Sequence, residues 1–229
     1  MKGTNRGENQ AYHCIKTGIL TPTDEIVDTI RRFAGKYLRS GAVVAISETA
    51  LAVTQGRLIR PERVKPSIAA KLMARLVSQD GSLSSPYAFQ VVMNEEGGLR
   101  VIAAFALGGL SRLLLRRRGD FYLLAGSQAR LIDDITGTLP PFDKHIVLGP
   151  DTPSEVVRRI RGELGVEAVI VDANDLGKVD IVACSEGVDR GQVIDVFRSN
   201  PWGNADEQTP LLIIERSTES CSQPSRAQN

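Results

Sequence analysis

A β-branched run, Ala168-Val-Ile-Val-Asp172, follows a well-marked helix start and finishes in a carboxylate, and it constrains the fold of this chain more than any other segment. Thr152-Pro153-Ser154-Glu155 opens the helix as a capping box with proline at the first helical position. Val156, Val157, Ile160 and Leu164 recur on one helical face, and Gly165 can end it. Ile146 to Leu148 reads as a strand that stops at Gly149-Pro150. Strand, helix and strand in that order predict a βαβ-type unit over residues 145–172.

The rest of the chain alternates similarly. Thr21-Pro22-Thr23-Asp24 reads as a capped helix start, with Ile26, Val27, Ile30 and Phe33 on its apolar face. Ala42 to Ile46, Val179 to Cys184 and Leu211 to Ile214 read as strands. Residues 67–78 and 87–94 read as helices. Residues 121–125 and 128–132 read as strand, and residues 99–118 fit a buried helix or a strand pair equally. The fold class is therefore α/β in the mixed α+β sense. Residues 1–12 read as a disordered start, 13–216 as the ordered body and 217–229 as a disordered Ser/Gln/Pro tail.

Composition removes several classes of function. Net charge is +1 and aromatics are 5%, so neither a nucleic-acid surface nor an anionic bilayer is an expected partner. The most apolar run, Val101 to Leu115, is interrupted by Ser111 and Arg112 and reads as too short to span a membrane. Cys14, Cys184 and Cys221 lack metal-type spacing and read as reduced thiols in a cytoplasmic protein. No Walker A loop, GxGxxG, GxSxG or HExxH occurs.

Three segments can carry chemistry. In Val171-Asp172-Ala173-Asn174-Asp175-Leu176-Gly177, a buried strand delivers a carboxylate at its end, where α/β sheets hold ligands. Carboxylates flanking an amide oxygen suit Mg²⁺ or Mn²⁺, while the alternative is an Asx turn that caps its own backbone. In Ile132-Asp133-Asp134-Ile135-Thr136, two acids enter a Thr/Gly/Pro loop that can hold a metal or stay a solvated turn. Residues 200–210 hold the only tryptophan between prolines, either a functional loop or a helix-to-strand connection. Gln55-Gly56-Arg57 and Arg116-Arg117-Arg118 offer cations to an anion, or sit at ordinary turns and helix ends. His13 and His145 stand alone and read as structural.

Together these pieces resemble the γ-glutamyl ligases that add glutamate to the deazaflavin coenzyme F420, over roughly Lys16 to Arg216. The resemblance rests on Thr17 to Asp24, Gly41 to Ser47 with Gln55-Gly56-Arg57, and Ile132-Asp133 with Pro140-Pro141. Val171 to Gly177 and Asn200 to Pro210 look most like a divergent, ligase-like branch. It implies a two-lobed fold with mixed sheets and a cleft, a homodimer, Mn²⁺ or Mg²⁺, and GTP as co-substrate. The substrates would be a carboxylate acceptor and L-glutamate, joined through an acyl phosphate. The family's metal aspartates match at Asp133 and Asp172, with Asp175 as a further ligand. Gly56, Arg57, Asn174, Glu207 and Gln208 are the corresponding nucleotide or substrate candidates, and no catalytic residue is assigned.

The chain also departs from the family pattern. Two lysines of the family's Ser-Lys-x-Val-Ser-Lys-Ala-Glu-Gly-Arg stretch are Thr49 and Val53 here, and its glutamate is Gln55. Lysines at such places are natural phosphate partners. Their loss keeps open an alternative, a non-catalytic metabolite- or metal-binding protein on the same fold.

Overall fold

The structure is a computed structural model that describes residues 2–4, 11–77, 83–117, 119–135, 140–174, 177–203 and 207–215. In chain order the strands are β1 (Lys2–Thr4), β2 (Ala11–Ile15), β3 (Val43–Ser47), β4 (Leu58–Ile59), β5 (Ile146–Val147), β6 (Glu167–Ala173), β7 (Val179–Cys184) and β8 (Leu211–Ile214). The helices are α1 (Ile26–Ala34), α2 (Glu48–Thr54), α3 (Ile68–Leu76), α4 (Pro86–Glu96), α5 (Gly98–Leu115), α6 (Asp120–Ala125), α7 (Ser127–Leu131), α8 (Pro153–Leu164) and α9 (Arg190–Phe197). They fall into two compact units. The first takes residues 1–18, 27–47 and 153–229; the second takes 19–26 and 48–152.

The first unit is a six-stranded mixed sheet in the order β1-β2-β8-β3-β6-β7. Only β3 and β6 run parallel, with Val43 opposite Glu167 and Ser47 opposite Val171. Val44, Ile46, Ala168 and Ile170 point to one face, and Val43, Ala45, Val169 and Val171 to the other; all are buried. A sheet covered on both faces needs near-continuous apolar strands, which is how β3, β6 and β8 read. Phe197 of α9 and Trp202 close one face, their rings 4.3 Å apart. On α8, Val157 and Ile160 are the buried pair, and the helix stops at Gly165 with φ +69°.

The second unit is helical around a small ladder of β4 and β5. Ser67 and Ser85 cap α3 and α4, accepting from the backbone N–H of Ala70 (3.2 Å) and Ala88 (3.0 Å). Gly97, at φ +92°, turns α4 directly into α5. Phe89, Phe105 and Phe121 interlock at centroid separations of 5.8–6.2 Å and join α4, α5 and α6. Gly108 is required in α5, since a Cβ there would lie 2.9 Å from the Phe121 backbone nitrogen.

The mixed α+β reading holds, and several element readings are corrected. Residues 121–125 and 128–132 are not a strand: α6 and α7 cover most of them, because Phe121, Ala125 and Ala129 face the helical core. Residues 98–115 form one helix rather than a strand pair, and only 17% of it is buried. By length and composition alone that helix is long and apolar enough to cross a membrane, contrary to the reading of its shorter apolar run. The expected βαβ unit fails at its first strand, since β5 pairs with β4 and the parallel partner of β6 is β3. At the first helix, Asp24 Oδ2 accepts from Thr21 N and Oγ1 (both 2.8 Å), so Thr21 to Asp24 form a turn and the helix begins at Ile26. The expected disordered start contains β1, and Ala11 and Tyr12 belong to β2. Residues 217–229 lie outside the described residues.

Leu212 is fully buried on the central strand β8, whereas Leu123 on α6 is 72% exposed. Urea unfolding should show Leu212→Ala losing about 3 kcal/mol through transfer and cavity costs. Leu123→Ala should stay within about 0.5 kcal/mol of the parent.

Candidate functional site in the acidic strand ends

Asp172 and Asn174 belong to the first unit. Asp172 is the sixth residue of β6 and lies directly opposite Asp180 of β7 in antiparallel register. A register shift at Ile170/Val171 sets this pairing, and both aspartates are half-buried. Opposed residues on neighbouring strands hold their Cβ atoms about 5 Å apart, so two carboxylates converge at one end of the hairpin. Asn174 closes the turn, accepting at Oδ1 from Lys178 N (3.2 Å) and at its carbonyl from Gly177 N (3.0 Å). Asn174 therefore behaves as the Asx-turn alternative required, while Asp172 gains a carboxylate neighbour that sequence spacing did not reveal. Asp175 lies outside the described residues.

Asp133 belongs to the second unit. Its backbone bridges Val147 in both directions (2.8 and 2.9 Å), which fixes the strand-like exit from α7. Its Oδ2 accepts from Thr49 Oγ1 at 3.0 Å. Thr49 stands where the family pattern has a lysine, so a neutral hydroxyl addresses this carboxylate in place of an ammonium. The other lysine position, Val53, is 4% exposed and part of the core.

Asp134, next in the chain, has a different role. It is 8% exposed. Oδ2 accepts from Ser84 N (3.0 Å), Ser84 Oγ (3.1 Å) and Ser85 N (2.6 Å), and Oδ1 from Ser85 Oγ (2.7 Å) and Ile135 N (2.8 Å). The carboxylate ties the start of α4 to the end of α7. Adjacent acids thus divide into one structural tie and one side chain that accepts from the Thr49 hydroxyl.

Gly56 has φ +68° and ends α2, its N–H donating to Val53 O at 2.9 Å. Gln55 makes two bonds to the Asp151 backbone, donating from Nε2 at 2.9 Å and accepting at Oε1 at 2.7 Å. Arg57 donates from Nε to Gly149 O at 3.0 Å and from Nη2 to Glu95 Oε2 at 3.3 Å. This segment is a helix end tied to residues 149–151. Arg116 takes the left-handed C-cap of α5, the helix-end reading of that basic run.

The Trp202 loop is chiefly structural. Gln208 has φ +55°, and its carbonyl accepts from Thr17 N at 3.1 Å. Glu207 is exposed, and its carboxylate lies where a Cβ on Gly203 would be. Cys14 donates from Sγ to Pro201 O at 3.3 Å, and burial pushes its thiol pKa up, so it stays protonated as that bond requires. His13 is paired with Glu215 at 3.0 Å and stacked on Tyr37, a structural role.

A cavity of about 440 Å³ in the second unit is lined by Ile59, Arg63, Lys65, Gln90, Asn94 and Glu95 among others. Its size falls within the range of small-molecule sites, and two cations sit on its wall. No sequence motif marks it, because β4 and the segment after it meet α4 only through the fold. Among the described residues, no group of three or more His, Cys, Asp or Glu side chains could hold a metal.

A family model described as F420-0:Gamma-glutamyl ligase matches residues 14–190. The chain belongs to that family. Membership carries γ-glutamyl ligation in general and a connection to coenzyme F420 biosynthesis. A comparison with curated proteins finds no match. The matched span includes Asp133, Asp172 and Asp180 and ends before the Trp202 loop.

Replacing Asp134 with alanine should cost about 3 kcal/mol in urea unfolding, since it strands buried donors of Ser84 and Ser85. Asp133→Asn should change stability by less than about 1 kcal/mol, because the amide oxygen still accepts from Thr49.

Proposed function

We propose that this chain is a metal- and nucleotide-dependent γ-glutamyl ligase joining L-glutamate to a carboxylate acceptor, with GTP as co-substrate. The observation that carries the reading is the register pairing of Asp172 with Asp180 in a chain of this family. Oxygen donors from two carboxylates suit a hard cation such as Mg²⁺ or Mn²⁺. When bound, such an ion would offset charge on a γ-phosphoryl group and orient it.

In this reading the acceptor carboxylate oxygen attacks the γ-phosphorus and GDP leaves, giving an acyl phosphate. The glutamate amine attacks the acyl carbon, phosphate departs, and the nitrogen loses a proton to leave an amide. Asp172 and Asp180 would hold the cation in the first unit, and Asp133, in the second, is the position that matches the family's other metal aspartate. Arg63 and Lys65, on the cavity wall, are the cations this chain offers an anion in place of the family lysines. Arg57 acts through position, holding Gly149 and Glu95, with Gly56 supplying the turn before it. Glu207 and Gln208 shape the Trp202 loop. Cytoplasm is the compartment that fits such an enzyme.

A second reading, a binding protein without turnover, is favoured by one observation: the positions of both family lysines hold a hydroxyl tied to Asp133 and a core valine.

Thermal unfolding with GTP or ATP, with and without Mn²⁺ or Mg²⁺, separates the readings. A ligand at about 100 times its Kd adds roughly 2.7 kcal/mol. A metal-dependent GTP shift that Asp172→Asn and Asp180→Asn each abolish, together with phosphate release that needs glutamate and an acceptor, is expected for the ligase. Shifts without turnover favour the binding protein, and no shift with either nucleotide overturns nucleotide use.

A further inference from the structure

The cavity in the second unit is built from one face of α4 and from the segment that leaves β4. Gln90 and Asn94 are four residues apart, as are Val91 and Glu95, so these side chains share one face of the helix. The remaining lining comes from Ile59 and from residues 63–65. Val64 is extended there (φ −101°, ψ 129°) and partly buried against the unit's apolar core, while its neighbours Arg63 and Lys65 are exposed. Ile59, Val64 and Val91 give the cavity an aliphatic surface between its polar groups.

The polar lining is rich in donors. Gln90 Oε1 accepts from Ser67 N, and Gln90 Nε2 donates to Asn94 Oδ1, both at 2.9 Å. Each amide oxygen is thereby engaged, and what the pair still offers is the Asn94 Nδ2 group and the second Gln90 Nε2 hydrogen. Arg63 and Lys65 add two cations, and among the described residues no ion pair holds either of them. The anionic acceptor on this wall is Glu95. Its Oε2 takes Arg57 Nη2 at 3.3 Å, which leaves Oε1 for a ligand. Two cations, one carboxylate and amide donors over aliphatic carbon complement a molecule with two carboxylates, one ammonium and a short aliphatic stem. A nucleotide fits this wall poorly. Among the described residues no aromatic ring lines the cavity to stack a base, and the Glu95 carboxylate repels a polyphosphate.

We propose that this cavity binds a free acidic amino acid, with Arg63 and Lys65 on its carboxylates and Glu95 on its ammonium. For its purpose the site rests on the ligase reading, in which such a molecule is the amine donor; for its binding it rests on the cavity alone. Selection follows from the pattern of charge. L-Glutamate meets a cation at each carboxylate and a carboxylate at its ammonium. Glutarate, a dicarboxylate of the same length, keeps the first two contacts and brings no cation to Glu95. L-Glutamine keeps the ammonium contact and gives up one of the carboxylates.

Equilibrium dialysis of the full-length protein against radiolabelled L-glutamate tests the site, with and without Mg²⁺ and a non-hydrolysable GTP analogue. Saturable binding is expected, displaced by unlabelled L-glutamate about 10-fold or more better than by glutarate or L-glutamine, the factor that one hydrogen bond to a charged group supplies. Arg63→Ala and Lys65→Ala should each weaken binding by about 10-fold or more, with the thermal midpoint unchanged because both side chains are exposed. Glu95→Gln should weaken L-glutamate by a similar factor and leave glutarate bound as well as before or better, a change of preference that a damaged fold would not produce. Absence of saturable binding under both conditions, glutarate equal to L-glutamate on the wild type, or binding indifferent to Arg63→Ala and Lys65→Ala would overturn the proposal. So would displacement by inorganic phosphate as effective as that by L-glutamate, the mark of a general anion site. The ligase reading fails at a different point. A metal-dependent GTP shift without amino-acid binding removes this site alone, and amino-acid binding with the expected preference but no GTP shift keeps the site and removes the ligase.

Discussion

The parallel pairing of β3 with β6 is the constraint on which the first unit depends. It brings together two apolar strands separated by more than a hundred residues, and β8 completes the environment of β3 on its other side. With neighbours on both edges and side chains buried on both faces, β3 has almost no freedom of register. A slip of one residue would exchange Val44 and Ile46 for Val43 and Ala45 across the sheet. Since β6 is registered against β3 and β7 against β6, the position of the Asp172–Asp180 pair follows from apolar packing several ångströms away. The acidic hairpin end is thus placed by a hydrophobic arrangement, and the shift at Ile170/Val171 makes the final adjustment.

Polar placement in the second unit follows a different rule. Asp134 is held by five donors, Gln55 by the Asp151 backbone, and Glu96 accepts from Arg100 and from Gln128 N. Each joins segments far apart in sequence whose backbone groups would otherwise be stranded. These residue types are the ones a search for chemistry selects first. Here they satisfy backbone, which is what buried polar groups most often do.

Local signals were legible where local physics decides. Strands β7 and β8 have the limits their alternation and apolar runs indicate, and Ser67 and Pro153 mark true helix starts, while α4 begins at Pro86, one residue before the reading of 87–94. The failures lie where partners decide. Residues 121–132 carry aromatic and branched side chains that suit a strand, yet α4 and α5 offer Phe89 and Phe105 as a helical packing surface, and propensity yields to it. The βαβ reading failed because adjacency in sequence suggested a partner for β6 that the sheet takes from β3. Asp172 could be picked from its strand-end carboxylate, but Asp180 could not, because only the hairpin register puts the two opposite each other. Asn174 looked like a ligand and is a turn former, two roles that a single amide oxygen serves equally well in sequence.

The place of β8 in the sheet has a consequence for how the chain is made. The last strand in sequence lies between β2 and β3, so the first unit spans nearly the whole polypeptide. The second unit draws on nothing beyond residue 152 and is built largely from contacts between neighbouring helices. On a ribosome it could collapse while the strands of the first unit still lack their central member. Low contact order favours rapid formation of the helical part, and the sheet must wait for Leu211 to Ile214 to emerge. Until then β2 and β3 expose open edges, a window in which a nascent chain of this design depends on chaperones or on speed of synthesis.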